Sequence, residues 1–168
     1  EIALELSALC DEIGALAEAL STLGHLTPRS LDTVASFGER MSSLLIAAAF
    51  NAMGVPAQLV DARRVMITDA QHTRAEPLTD AIAEAARVHL APLVRDQKVP
   101  VMGGYIGATA GGIATTLGRG GSDYSASLVG AALQAEAIEI WTDVDGMMTA
   151  DPRVVPSAKD QVGWIVAR

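Results

Sequence analysis

Gly118-Arg119-Gly120-Gly121 runs directly into Ser122 and Asp123, and an alanine-rich stretch follows. Glycines let the backbone approach a ligand closely, and free N–H groups at a helix start favour an anion. Arg119 adds a planar fork suited to a carboxylate or a phosphate. Ser122 reads as the N-cap of the helix, and Asp123 in its first turn suits the helix dipole. The bland alternative is a tight turn in which Arg119 is solvated and Ser122 and Asp123 only cap. No G-x-x-x-x-G-K-[ST] pattern occurs anywhere, which excludes the P-loop route to nucleotide binding.

A second group, Thr142, Asp143 and Asp145, follows the apolar run 138–141. Carboxylates at a strand end can coordinate Mg²⁺ directly or through water. The alternative is a pair of exposed acids in a turn closed by Asp145-Gly146. An EF-hand is excluded, because the third acidic position and the closing glutamate are missing. "DVDG" after a hydrophobic strand also resembles the nucleophile motif of haloacid-dehalogenase-like phosphatases. That motif opens its domain, whereas here it stands near the end of the sequence. Glu39 in "FGERMSS" is the third point. It lies about 160° round a helix from Phe37 and Met41, off the apolar stripe and on the side of Ser36, Ser42 and Ser43. Such a polar side is either solvated or the wall of a pocket that reads an ammonium group.

These residues need elements to hold them. Ile2, Leu6, Leu9, Ile13, Leu16, Leu20 and Leu23 recur at steps of four and three, which predicts a helix ended near Gly24. Its seam packs on the next helix of the chain, or in a coiled coil. That next helix is expected from about Ser30 to Met53, with Val34, Phe37, Met41, Leu44, Ala48 and Ala52 buried. "AQLVDA" and "RVMIT" read as short strands. A helix from Pro77 to Gln97 follows, with Pro77 in its first turn and Pro92 fraying or kinking its end. "VPVMGGYIG" is a strand running into glycines, and "GIATTLG" is a hairpin or strand. Ser122 to Leu133 is a helix, and "AIEIWTDVDG" is a strand that ends in carboxylates. Strands alternating with helices predict an α/β fold, with a mostly parallel sheet covered on both faces. In such a sheet, ligands gather beyond the carboxyl ends of the strands, where the three groups above fall.

The bulk numbers narrow the partners. The 168 residues suit one domain, 50% hydrophobic but only 4% aromatic, so its core is aliphatic. A net charge of −8 with scattered arginines argues against a nucleic-acid surface. No run approaches the ~20 apolar residues of a membrane span, and the first residues do not read as the charged, apolar, small-residue order of a signal peptide. The single cysteine, Cys10, excludes an internal disulfide, fits a reducing compartment and reads as a small core residue. The opening in mid-helix, without Met or N-cap, suggests a piece of something longer.

Taken together, "FGERMSS", "DARRVMITD", "VPVMGGYIGAT", "TTLGRGGSDYSA" and "EIWTDVDGMMTADPRVVP" resemble the blocks of aspartate kinases, in order and spacing. Those enzymes are members of the amino-acid kinase family. The serine-aspartate-tyrosine after the glycines points to the aspartate-specific branch. The resemblance implies a three-layer α/β/α sandwich and transfer of the γ-phosphoryl of MgATP to the side chain of L-aspartate. The product is 4-phospho-L-aspartate, in the first step of lysine, threonine and methionine biosynthesis. It implies that Glu39 recognises the aspartate amino group and that Arg119, Gly120, Gly121 and Ser122 hold its carboxylates. Asp123 would help to organise the substrate end. Thr142 and Asp143 would contact the nucleotide, and Arg153 would lie nearer its phosphates. Met148 falls where many relatives have tyrosine, which implies an apolar or backbone contact with the nucleotide. The expected setting is a cytoplasmic homo-oligomer with ATP and Mg²⁺, free of membrane and nucleic acid. The family's first strand, with its lysine and paired glycines, and its regulatory domains have no match in this sequence. The expectation is therefore the central part of a kinase domain, with a helical excursion over about residues 1–54. The competing reading is an amino-acid-binding or assembly module that lacks the phosphate lysine.

Overall fold

The computed structural model describes residues 2–141, 149–151 and 153–157. Two long helices open the chain, α1 (Ile2–Leu23) and α2 (Pro28–Ala52). Gly24 takes a φ of 70° and returns its N–H to Leu20 O at 3.0 Å, the left-handed ending that glycine adopts without steric cost. α2 begins two residues before Ser30. Thr27 caps it, accepting from the Ser30 amide while Ser30 Oγ accepts from the Thr27 amide, and Pro28 occupies the first turn.

The α1 seam faces α2 as the periodicity requires. Leu6, Leu9, Ile13, Leu16 and Leu20 are half-buried, and none is fully enclosed. Cys10 is exposed, contrary to the core reading, because α1 packs chiefly on one neighbour, α2, and Cys10 lies off that seam. On α2, Phe37 and Leu44 are buried as expected, whereas Val34 and Ala52 are exposed. The rest of its buried side is Asp32, Ser36, Ser43 and Ala47, more polar than an apolar stripe. Ser36 and Ser43 tolerate this by donating to the Thr33 and Glu39 carbonyls, at 2.7 and 2.6 Å.

The strands are short. β1 (Ala57–Leu59) pairs in parallel with β3 (Val99–Val101). A 3-10 turn over Ala62–Arg64 follows β1, because Asp61 accepts from the Arg63 amide and ends the strand. β2 (Ile67–Thr68) pairs in parallel with β4 (Ile106–Thr109), and β4 forms an antiparallel hairpin with β5 (Ala114–Thr116). Among the described residues the mostly parallel sheet consists of two ladders, β1-β3 and β2-β4-β5.

The helix expected over Pro77–Gln97 is α3 (Thr79–His89) and α4 (Ala91–Arg95). Pro77 is not in a first turn; it bridges Thr68, and Leu78 donates to Ile67 O. The break falls at Leu90, since Pro92 has no N–H to offer the preceding turn. α5 (Gly121–Ala132) completes the described elements. Residues 137–141 form no ladder; Ile138 packs its side chain onto Gly130 of α5 instead. The remainder of the strand expected there, from Thr142 to Gly146, lies outside the described residues.

The order of layers is α/β/α. α2 lies on β1, β3, β4 and β5, with α1 outside it, while α3 packs on α5 and β2, and α4 on β3. Val60, Val65, Ala86 and Leu90 form the core beneath α3–α5, with Leu93, Met102 and Val129 against them. No helix among the described residues is long and apolar enough to cross a membrane.

Candidate functional site

Gly103 and Gly104, between β3 and β4, are the hinge on which the candidate residues meet. A methyl group on Gly103 would stand 2.8 Å from Glu39 Cβ and 3.2 Å from Glu39 O. One on Gly104 would stand 2.9 Å from Ser122 Cα and 3.1 Å from Ser122 Cβ. Only bare backbone lets α2 and the first turn of α5 close on the same dipeptide. Glu39 and Ser122, 83 positions apart in the sequence, thereby come against adjacent residues of one dipeptide.

Tyr105 carries the arrangement onward in a left-handed conformation, φ 69°. Its amide donates to Ser125 Oγ at 3.0 Å, and its carbonyl accepts from the Leu117 amide at 2.9 Å. Gly121 is buried against Tyr105 and Leu117, where a methyl would stand 3.0 Å from each side chain. The glycine-rich turn is thus pinned at both ends. Arg119 is presented between two left-handed glycines, Gly118 at φ 77° and Gly120 at φ 75°.

The helix begins differently from the expectation. Gly120, not Ser122, is the N-cap, and no side chain caps α5. The left-handed φ of Gly120 starts the helix at Gly121, which puts Ser122 second and Asp123 third. Gly121 donates to Gly118 O and Tyr124 to Gly120 O, while the amides of Ser122 and Asp123 have no backbone acceptor. Two unsatisfied N–H groups at a helix start, without a side-chain oxygen over them, are able to receive an anion. Arg119 is exposed and forms no ion pair among the described residues. Glu39 is half-buried and likewise unpaired there, so neither charge is neutralised by a neighbour. Asp123 is exposed, and its carbonyl accepts from Ser127 Oγ.

Arg153 pairs with a close neighbour in the sequence. It grips Asp151 at 2.7 Å with its side chain 88% exposed, and this hydrogen-bonded pairing lowers the Asp151 pKa below its usual value. Thr142, Asp143 and Met148 lie outside the described residues. Among those described, no group of three or more His, Cys, Asp or Glu side chains could hold a metal ion. A cleft of about 350 Å³ lies next to the hinge, between α1, α2 and β1. Glu12, Arg40, Ser43, Asp61 and Gly103 are among its lining residues.

Sequence reasoning missed Asp32. It is 1% exposed near the start of α2 and binds Thr116 at the end of β5, together with His72 and Thr73 in a loop. An acid off the apolar stripe of an amphipathic helix carries no sign that it will be buried, so only its partners reveal it.

A sequence model of the amino acid kinase family matches residues 5–161. The chain is 44% identical over 165 residues to the lysine-sensitive aspartokinase 3 of Escherichia coli K12, covering 97% of this chain and 36% of that protein. Aspartokinase 1 of Bacillus subtilis 168 is 43% identical over 135 residues, 80% of this chain and 32% of that one. The structure superposes with a TM-score of 0.84 on E. coli aspartokinase III in complex with aspartate and ADP, in its R-state. That match has 43% identity and covers 95% of this chain and 35% of the other. The same enzyme with lysine and aspartate, in its T-state, gives a TM-score of 0.81 at 42% identity. The chain therefore spans about a third of the length of these relatives. With the blocks, the fold and the hinge agreeing, this chain belongs to the amino acid kinase family.

Proposed function

We propose that the chain is the central part of an aspartate kinase domain and that the Arg119 turn is the seat of L-aspartate. The observation that carries this is the Gly103-Gly104 hinge, which seats α2 at Glu39 and the start of α5 at Ser122 against adjacent glycines. A small amino dicarboxylate matches both: Glu39 takes its ammonium group, while Arg119 and the free amides of Ser122 and Asp123 take its carboxylates. The E. coli relative solved with aspartate and ADP supports this choice over other acceptors.

In this proposal the side-chain carboxylate of aspartate forms a bond to the γ-phosphorus of ATP as the bond to the β,γ-bridging oxygen breaks, leaving ADP. Such a transfer needs alignment and charge neutralisation more than a protein nucleophile. Arg119 and the free amides supply positive potential at the acceptor end of an otherwise acidic chain. Asp123, third in α5, helps to organise that end. Thr142, Asp143, Met148 and Arg153 are assigned to the nucleotide on the resemblance alone. Mg²⁺ enters as the ion that accompanies ATP, and none of the described residues is assigned to it. The phosphate-binding lysine and any regulatory domains would belong to other parts of a longer polypeptide.

Arg119→Ala in the full gene product tests the assignment. Losing a hydrogen bond to a charged group costs about 1.5–3 kcal/mol, or roughly ten- to hundredfold in the aspartate KM. Unchanged aspartate kinetics would remove Arg119 from the seat. Calorimetry with aspartate, paired with an assay of ATP turnover, separates a kinase from a binding module, since the module binds aspartate but turns over no ATP.

A further inference from the structure

We propose that Asp32 is a positioning residue for the Arg119 turn, acting through Thr116 and the loop over residues 72–75 without touching substrate. The inference rests on the reading of that turn as the aspartate seat. Asp32 Oδ1 accepts from Thr116 Oγ1 at 2.6 Å, and both groups are buried. The Thr73 amide donates to both carboxylate oxygens, at 3.0 and 2.9 Å. His72 Nδ1 stands 2.8 Å from Oδ2.

Each of these partners supports the turn. Thr116 is the last residue of β5, two positions before Gly118, and its carbonyl accepts from the Ala75 amide at 2.9 Å. Gly118 itself rests on the loop: a methyl there would stand 3.2 Å from both Thr73 O and Arg74 Cγ. Thr73 has a φ of 70°, which a β-branched residue adopts only under constraint, and its amide is one of those that Asp32 holds. One carboxylate thus fixes the strand that enters the turn and the loop beneath its first glycine. A buried acid is a poor source of stability compared with an apolar residue of similar volume. What a fully satisfied buried carboxylate supplies is geometry.

The decisive pair is Thr116→Val, which removes only the hydroxyl, and Thr116→Ser, which restores it; Asp32→Asn is the direct variant. Steady-state kinetics of the full gene product would be combined with hydrogen exchange of amides 118–122 without substrates and with thermal midpoints. Since a displacement of about 1 Å at a reacting group can cost two orders of magnitude, Thr116→Val should raise the aspartate KM about tenfold. The KM for ATP should stay within about twofold, amides 118–122 should exchange faster, and Thr116→Ser should recover most of the loss. Asp32→Asn should act in the same direction and more strongly; if it does not fold, the Thr116 pair decides. A lower thermal midpoint with unchanged aspartate KM would mean a merely structural role and overturn the inference. Unchanged exchange at 118–122 would overturn it whatever the kinetics. Arg119→Ala without effect on the aspartate KM would instead overturn the proposed seat.

Discussion

Gly104→Ala probes the hinge directly. A methyl on Gly104 would stand 2.9 Å from Ser122 Cα, 3.1 Å from its Cβ and 3.3 Å from its Oγ. Carbon atoms in good contact lie about 3.5–4.0 Å apart, so the deficit at Cα is about 0.6–1.1 Å. The obstruction is the backbone of α5, which cannot rotate away as a side-chain tip can. Either the 103–105 segment or the first turn of α5 has to move. Overpacking of this kind costs about 1–3 kcal/mol, and a chain of this size loses about 2–4 °C of Tm per kcal/mol. Because the displaced atoms belong to the proposed aspartate seat, aspartate affinity should fall as well, by about ten- to hundredfold. Gly111→Ala is the control, since its methyl would meet nothing closer than Thr109 Oγ1 at 3.7 Å. Chemical denaturation and aspartate titration by calorimetry, both on the full gene product, read the two effects. If Gly104→Ala and Gly111→Ala behave alike in both, α5 does not close on Gly104 and the reasoning fails.

Three smaller perturbations follow from the same structure. Gly14 is exposed in the middle of α1 with open space around it, so Gly14→Ala should stabilise by about 0.5–1 kcal/mol, seen as a higher denaturation midpoint with an unchanged slope. Arg40 joins α2 to Glu12 of α1 at 2.9 Å and lies 4.7 Å over the Phe37 ring. Arg40→Ala should therefore cost about 1–2 kcal/mol, and Glu12→Gln, the exposed partner, at most about 1 kcal/mol, shrinking in high salt. Burial pushes the Asp61 carboxyl up, but the hydrogen bonds and charge of Arg63 outweigh it and hold the group below its ordinary 3.8. On acidification the unfolded chain therefore takes up the proton first. The stabilisation from Asp61 is present above its ordinary pKa and is lost as pH falls through the lower folded value. Asp61→Asn should reduce stability at neutral pH and flatten its decline in acid, as followed by thermal melts across that range.

Much of this protein is readable along the chain because helices advertise themselves locally. The α1 seam, its end at Gly24 and the glycine-rich entry to α5 each express backbone and packing rules acting within a few residues. The five blocks identified the family for a similar reason: a phosphotransferase has to place bare backbone and fixed charges at set points, and those leave a mark in residue types. The two helices α3 and α4, the shortened strands and the Gly120 cap were decided by finer terms. A proline without an N–H at position 92 and a left-handed glycine at 120 each moved a boundary. Tertiary structure alone decided which distant residues meet. Glu39 and Ser122 reach the same dipeptide only because Gly103 and Gly104 have no side chains to hold α2 and α5 away from it. Asp32 is functional in prospect only because Thr116, His72 and Thr73 converge on it. Local sequence carries propensity and pattern, but a buried charge acquires its meaning from partners that the fold brings from 40 to 84 positions away.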